Sequence, residues 1–168
     1  MTYAAVLTIS DSVVNGTRTD GSGPAVQQRL EQFGWTVAAL EAVPDEVDSI
    51  AERLAFLADG KQVSAIFTTG GTGVASRDVT PEATRSVIEK EIPGLGELMR
   101  SAGRARTPLA VLSRATAGTR AQVLIVNLPG SPQGALESLE AIIDVVPHIL
   151  DLLRGNTEHA RETKRNTS

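Results

Sequence analysis

A glycine-rich turn between a short apolar run and a helix start constrains the fold of this chain more than any other stretch. The run Val63–Phe67 has the length and composition of a buried strand, and three of the four residues from Gly70 to Gly73 are glycine. Thr80 and Pro81 then predict the start of a helix, with Thr80 as its N-cap. Strand, glycine turn and helix together are typical of phosphate sites in α/β proteins, because glycine lets the backbone approach the anion and free N–H groups point at it.

The turn matches neither of two common nucleotide-binding motifs. It lacks the Gly-Lys-Ser/Thr ending of a P-loop, and the third glycine of the dinucleotide-binding pattern is absent. It therefore predicts an anion site but leaves the ligand open. The net charge of −4 disfavours non-specific binding to nucleic acid or to an anionic membrane, so a phosphate ligand would be held by local arginines, helix N-termini or a metal.

Residue usage excludes several further classes of site. There is no cysteine, which removes disulfides, thiolate catalysis and thiolate metal sites. With His148 and His159 as the only histidines, a histidine-rich zinc site is not expected. The N-terminus lacks the layout of a signal peptide, and no apolar run approaches the roughly 20 residues of a membrane span. We therefore expect a cytoplasmic protein with no membrane contact.

The apolar pattern predicts strands that alternate with helices in a single domain, residues 1–154, followed by a polar, disordered tail at 155–168. Such alternation predicts a three-layer α/β sandwich, in which a mostly parallel sheet with one antiparallel hairpin strand has helices on both faces. The predicted helices begin at Pro24, Pro44, Thr80, Leu95 and Pro132, and Pro147 is expected to kink the last of them. The predicted strands are Tyr3–Ile9, Trp35–Val43, Val63–Phe67, Leu109–Ser113 and Ala121–Asn127, the last two joined as a hairpin through Arg114–Arg120.

Polar loops follow several of the predicted strands. In open α/β sheets, ligands bind at the carboxyl ends of the strands. The loops at those ends would therefore gather at one edge of the sheet, and their convergence predicts a binding site there. These loops are Ser10–Asp11, Val43–Asp45, Thr69–Asp78 and Asn127–Ser131.

Several motifs of the chain occur in the kind and order of one known family. They are Thr68–Gly73 with Arg77–Thr84, then Ser10–Asp11, Val43–Glu46, Pro93–Glu97, Leu112–Ala115 and Asn127–Pro132. Together they resemble the molybdopterin-binding family, which includes the MogA and MoaB proteins, the G domain of gephyrin and the plant enzyme Cnx, and the N-terminal part of CinA proteins. The resemblance covers the chain up to Leu153. It implies a three-layer α/β fold, a homotrimer or a hexamer built from trimers, and a role in cytoplasmic molybdenum cofactor synthesis.

The activity that this resemblance implies is transfer of AMP from Mg-ATP to the terminal phosphate of molybdopterin, with release of pyrophosphate. Molybdopterin and ATP would be the substrates and Mg²⁺ the metal, and proteins of molybdopterin synthesis and molybdenum insertion would be partners. The reaction brings several negative charges together. A divalent metal held by carboxylates is the usual way to neutralise such charges.

The same resemblance assigns roles to individual residues. Asp45 and Asp78 match the two aspartates that the family places near the nucleotide phosphates, so we predict that they are catalytic and hold the metal. Arg77 would add positive charge in the transition state. The remaining predicted binding residues are Thr69, Gly70, Gly71, Thr72 and Gly73 for phosphate or nucleotide, Asn127, Leu128, Pro129 and Gly130 for the nucleotide, and Ser10, Asp11, Ser113 and Arg114 for the pterin and its phosphate.

Each of these positions also has a plain structural interpretation when it is taken singly. Asp45 would be the N-cap of a helix, and Asp78 would form an exposed salt bridge with Arg77 that contributes little. The Asn127–Gly130 segment would be a turn before the last helix, and Ser113–Arg114 the end of an edge strand. The complete set of motifs favours the functional interpretation.

Two positions depart from the family pattern, and two alternatives stay open. Many relatives have proline or arginine where this chain has Ala75–Ser76, and lysine where it has Gln133, so a cation is missing at the last helix. The pattern does not separate active adenylyltransferases from MoaB-type proteins, so a non-catalytic molybdopterin-binding protein is the main alternative. A CinA-type nucleotide hydrolase is disfavoured, because the chain ends without the additional domain of such proteins.

Overall fold

The structure is a computed structural model that describes residues 2–156, and its strands form one mixed sheet in the order β2-β1-β3-β6-β5-β4. β1 pairs with β2 and β3 in parallel, and β3 pairs with β6 in parallel. β5 runs antiparallel to both β6 and β4. This confirms the predicted mostly parallel sheet with one antiparallel hairpin strand. The strands are β1 (Tyr3–Ile9), β2 (Thr36–Val43), β3 (Ala65–Thr69), β4 (Lys90–Glu91), β5 (Ala117–Arg120) and β6 (Val123–Leu128).

Helices cover both faces of this sheet, as the sequence predicts. On one face Phe67 packs among apolar residues of α2, α5, α6 and α7, and its ring meets that of Trp35 edge-on at a centroid distance of 5.9 Å. On the other face α3 buries Ile50 and Leu54, which recur at helical spacing, against β1, β3 and β6. The helices are α1 (Asp11–Val14), α2 (Ser22–Gln32), α3 (Val47–Asp59), α4 (Thr80–Val87), α5 (Pro93–Arg104), a 3₁₀ helix (Pro108–Leu112), α6 (Pro132–Ile142) and α7 (Val146–Leu153).

The strand predicted at Leu109–Ser113 is wrong. That segment is the 3₁₀ helix, begun by the Thr107 side chain, which accepts a hydrogen bond from the Leu109 N–H, and by Pro108 in its first turn. The first strand of the hairpin is instead β5, whose small residues the sequence pattern did not mark as a strand. Gly118 has to be small there, because a Cβ would lie 2.6 Å from both the Lys90 carbonyl oxygen and the Ile88 side chain.

Three smaller expectations also need correction. Thr80 is not an N-cap but the first residue of α4, and its hydroxyl donates to the Gly70 carbonyl at 2.9 Å. The last helix is not kinked at Pro147; it is divided into α6 and α7, with Pro147 in the first turn of α7. The short strand β4 was not predicted at all.

The predicted tail lies outside the described residues from position 157 onward. Among residues 2–156, no helix is both long enough and apolar enough to cross a bilayer.

Candidate active site

The loops after β1, β2, β3 and β6 meet at the carboxyl edge of the sheet. The Ser10 N–H donates to the Val43 carbonyl at 2.9 Å, and the Gly70 N–H donates to the Leu128 carbonyl at 3.1 Å. Gly130 lies so close to Gly70 that an added Cβ would be 3.2 Å from its Cα. β2 and β3 flank β1 on opposite sides, so the chain reverses its direction of winding here, which is where open α/β sheets form their binding crevice.

A reciprocal pair of hydrogen bonds joins Asp11, after β1, to Asp45, after β2. The Asp11 N–H donates to Asp45 Oδ2 at 2.8 Å, and the Asp45 N–H donates to Asp11 Oδ1 at 3.0 Å. Arg77, from the loop after β3, donates from its Nε and a terminal nitrogen to Asp11 Oδ2, at 3.0 and 2.6 Å. Three of the four loops are therefore tied together through the Asp11 carboxylate.

This network bears on the plain structural interpretations of Asp45 and Asp78. The N-cap position of α3 is occupied by Glu46, with no side-chain cap, so Asp45 does not cap that helix. Arg77 forms its salt bridge with Asp11, on a loop 66 positions earlier in the chain, and Asp78 is not its partner. Both plain structural interpretations are excluded by these contacts.

The pKa values of the two carboxyls are shifted in opposite directions. The hydrogen bond from the Asp45 N–H and the Arg77 side chain lower the pKa of Asp11. Partial burial raises the pKa of Asp45, and the neighbouring negative charges of Asp11 and Asp78 add to that rise. The pairing with Asp11 also raises the pKa of Arg77. The charged form of Asp45 is therefore disfavoured at this position, and a bound cation would favour it.

The glycine turn wraps closely around its neighbours. Gly70 and Gly71 have φ values of 97° and 64°, which favour glycine, and a Cβ on Gly71 would collide with Thr80 Oγ1. A Cβ on Gly73 would lie 2.6 Å from Asp78 Oδ2. That same oxygen accepts the Ala75 N–H at 2.9 Å, so the turn fixes the orientation of the Asp78 carboxylate.

Arg114 holds the glycine turn to α4 from the other side. Its Nε donates to the Gly73 carbonyl at 2.7 Å and a terminal nitrogen donates to the Asp78 carbonyl at 2.6 Å. Its guanidinium also pairs with Glu82, and this ion pair lowers the pKa of Glu82. The structure therefore places Arg114 as a support for Asp78.

The residues predicted after β6 fall into two groups. The side chains of Asn127 and Leu128 are fully buried, and the Asn127 amide donates to Thr68 Oγ1 at 3.1 Å and Thr84 Oγ1 at 2.8 Å. Asn127 thus joins β3, β6 and α4. Pro129 instead lines a cavity of about 200 Å³ between α5, the 3₁₀ helix and the start of α6. Ser113, the predicted binding residue that follows the 3₁₀ helix, lines the same cavity.

Two contacts that support the site were not predicted. Asp20 accepts hydrogen bonds from Thr8 Oγ1 at 2.6 Å and from the Gly23 N–H at 3.0 Å, which fixes α2 to β1. Ser22 and Thr69 share a buried hydroxyl hydrogen bond of 2.8 Å at the end of β3. The first could have been found, because Asp three residues before a helical glycine is a common helix-start signal.

Asp45 and Asp78 have the same hydrogen-bonding arrangement. In each carboxylate, Oδ2 accepts a backbone N–H, whereas Oδ1 has no hydrogen-bond donor among residues 2–156. The described part of the chain contains no group of three or more His, Cys, Asp or Glu side chains that could hold a metal ion. Mg²⁺ is commonly held by one or two carboxylates together with substrate phosphates, and this site offers that number.

Comparison with known proteins gives consistent matches over nearly the whole chain. Residues 5–148 match the family model described as a probable molybdopterin binding domain. A Helicobacter pylori protein named molybdopterin adenylyltransferase is 42% identical over 162 residues, which cover 95% of this chain and 92% of that protein. The Escherichia coli protein of the same name is 38% identical, covering 89% and 84% respectively. The crystal structure of the molybdopterin biosynthesis enzyme MoaB from Thermus thermophilus superposes with a TM-score of 0.87 at 49% identity, covering 92% of this chain and 98% of that one.

Proposed function

The chain belongs to the family of molybdopterin-binding domains, and from that membership we propose that it is a molybdopterin adenylyltransferase of molybdenum cofactor synthesis. In this reaction a phosphate oxygen of molybdopterin attacks the α-phosphorus of ATP. The bond from that phosphorus to the bridging oxygen breaks, and pyrophosphate leaves. Relatives that are 38–42% identical along nearly their full length carry the name of this activity, which supports the proposal.

The observation that carries the proposal is the placement of Asp45 and Asp78. Each is fixed by a backbone N–H on one oxygen and leaves the other oxygen available, and the Asp78 charge contributes to the raised pKa of Asp45. We propose that these available oxygens hold Mg²⁺, which, when bound, would neutralise the ATP phosphates and orient the leaving pyrophosphate.

The other groups at the edge would bind and orient the substrates. The glycine turn lets a phosphate approach the backbone closely, as its positive φ values allow. Arg77, whose side chain is 57% exposed, lies beside Asp45 and would place positive charge near the phosphorus under attack. Reaction at a fixed site of this kind depends mainly on positioning and electrostatic stabilisation.

The test is an assay of pyrophosphate release from ATP with and without molybdopterin and Mg²⁺. We expect release only when both are present, and we expect Asp78→Asn to abolish turnover while molybdopterin still binds. A wild-type protein that binds molybdopterin but never consumes ATP would contradict the enzyme proposal.

The second candidate is a non-catalytic molybdopterin-binding protein of the MoaB type. The match of residues 5–148 to a model described as a probable molybdopterin binding domain favours it, since that description names binding and no activity. It would bind the pterin with no dependence on Asp45 or Asp78, so the same assay separates the two candidates.

We further propose a homotrimer, or a hexamer of trimers, that works in the cytoplasm beside proteins of molybdopterin synthesis and molybdenum insertion. The exposed apolar side chains of the 3₁₀ helix support self-association, because Leu109, Val111 and Leu112 are 67%, 52% and 49% exposed in the single chain.

A further inference from the structure

The cavity between α5, the 3₁₀ helix and the start of α6 contains an arginine with no role in the site described above. Arg100, on α5, lines this cavity together with Ser113 and Pro129, which the sequence predicts to bind substrate. Ser131 and Gly134, at the start of α6, form part of the opposite wall. Arginine is over-represented where a phosphate is recognised by paired hydrogen bonds.

Arg114 is poorly suited to bind a phosphate. Its guanidinium already donates to the carbonyls of Gly73 and Asp78 and forms an ion pair with Glu82 through both terminal nitrogens. A substrate phosphate would have to displace these contacts and release the glycine turn. The guanidinium of Arg114 is therefore used to position Asp78.

Two nitrogens of the Arg100 guanidinium are available to bind a ligand. One terminal nitrogen donates to the Ser113 carbonyl at 3.3 Å and to the Ala115 carbonyl at 3.0 Å. Within residues 2–156, its Nε and second terminal nitrogen have no hydrogen-bond partner, and it forms no ion pair with a carboxylate. Gly96 leaves room for this orientation, since a Cβ there would lie 3.1 Å from one guanidinium nitrogen.

The negative charge on the cavity lining is partly offset by a neighbouring arginine. Glu137 is the carboxylate on the cavity wall, and it accepts a hydrogen bond from Gln133 at 2.9 Å and pairs with Arg106 at 3.7 Å. The first turn of α6 has Gln133 where many relatives have lysine, so this turn contributes no positive side chain to the cavity. Arg100 supplies, from α5, positive charge to the cavity that α6 itself does not.

We propose that Arg100 binds a phosphate group of the anionic substrate in this cavity, and that Arg114 instead positions Asp78. The inference rests on the proposed function only for the identity of the substrate. A terminal phosphate is common to molybdopterin and ATP, so the ligand chemistry is a phosphate group and the experiment must distinguish the two sources.

The test measures equilibrium binding, without turnover, of inorganic phosphate, ATP and molybdopterin to the wild-type protein and three variants. We expect Arg100→Gln to weaken phosphate and one of the two substrates by at least about tenfold, since hydrogen bonds to a charged group contribute about 1.5–3 kcal/mol. The substrate that is weakened identifies the source of the phosphate. Arg100→Lys should retain part of the affinity, and thermal unfolding of each variant confirms that it folds.

Arg104→Gln is the matched control, because it removes the same charge from the same helix at an exposed position outside the cavity lining. We expect its affinities to stay within about twofold of wild type. The proposal is overturned if the wild type binds none of the probes or if Arg100→Gln binds all of them as wild type does. It is also overturned if Arg104→Gln loses as much affinity. Because no step of catalysis is measured, the proposed function can fail or stand independently.

Discussion

Asp45 is a residue at this edge whose charge costs stability, and its proposed role as a metal ligand would explain why it is present. It is partly buried, and its raised pKa means that the folded protein holds a proton there more tightly than the unfolded chain does. The charged form therefore costs stability at pH values above the folded pKa, and that cost is relieved as the pH falls through it. A residue kept for folding alone would not be expected to have this property.

We predict that Asp45→Asn is at least as stable as wild type at neutral pH and yet inactive. Asparagine can still accept the Asp11 N–H through its carbonyl oxygen, so the link between the two loops survives. The loss of a metal-holding charge should lower turnover by at least about a hundredfold. Thermal unfolding from pH 7 downward should show any advantage of the variant shrinking as Asp45 of the wild type becomes protonated. A large loss of stability at neutral pH would show that Asp45 is structural.

The residues of the candidate site could be predicted from the sequence, but the hydrogen bonds and ion pairs between them could not. Asp45, Asp78 and Arg77 were singled out by motif, and the structure brings their loops to one edge. The sequence gives no sign that Arg77 pairs with Asp11, because that contact spans 66 positions and depends on the order of the strands. For the same reason Arg114 was predicted to contact phosphate, although its donors are directed to Gly73, Asp78 and Glu82.

At the scale of the element, the glycine turn was predictable because its signal is local. A buried strand, glycines and a helix start lie within 20 residues of one another, and each has a strong residue preference. The sequence predicts a strand in place of the 3₁₀ helix because Leu109, Val111 and Leu112 are apolar. Whether such side chains are buried depends on the rest of the fold and cannot be told from the segment alone. β5 escaped prediction because Ala117, Gly118 and Thr119 are small, although all three are buried in the sheet.

Gly71→Ala and Gly16→Ala separate the two reasons why a glycine is needed. Both glycines have positive φ, at 64° and 79°, but Gly16 has open space where a Cβ would lie, whereas Gly71 faces Thr80 Oγ1. We predict a loss of about 1 kcal/mol for Gly16→Ala from backbone strain. For Gly71→Ala we predict a further loss of about 1–3 kcal/mol from overpacking against α4. Urea unfolding measures both, and equal losses would contradict the close packing of the turn on Thr80.

At the scale of the whole molecule, the alternation of strands and helices was sufficient to predict the layers but not the strand order. The site exists because β2 and β3 lie on opposite sides of β1, which brings the loops after β1, β2 and β3 together. Neither periodicity nor composition specifies that reversal, and right-handed crossovers allow more than one order. The family resemblance implies the three-layer α/β fold, whereas the strand order comes from the structure.

The surface of the 3₁₀ helix carries the last prediction, which concerns assembly. Leu109→Lys should dissociate the proposed homotrimer, because covering an exposed leucine contributes about 1.5–3 kcal/mol and a buried lysine charge opposes contact. Phe56→Lys is the matched control: Phe56 is also 67% exposed, but it lies on α3, where its ring contacts Arg53. Sedimentation velocity should show trimers for the wild type and for Phe56→Lys, and smaller species for Leu109→Lys. The fold of the separate Leu109→Lys subunit should be retained, with little change in its melting temperature. A wild type that sediments as a monomer, or a Leu109→Lys variant that stays trimeric, would show that this surface does not hold the subunits together.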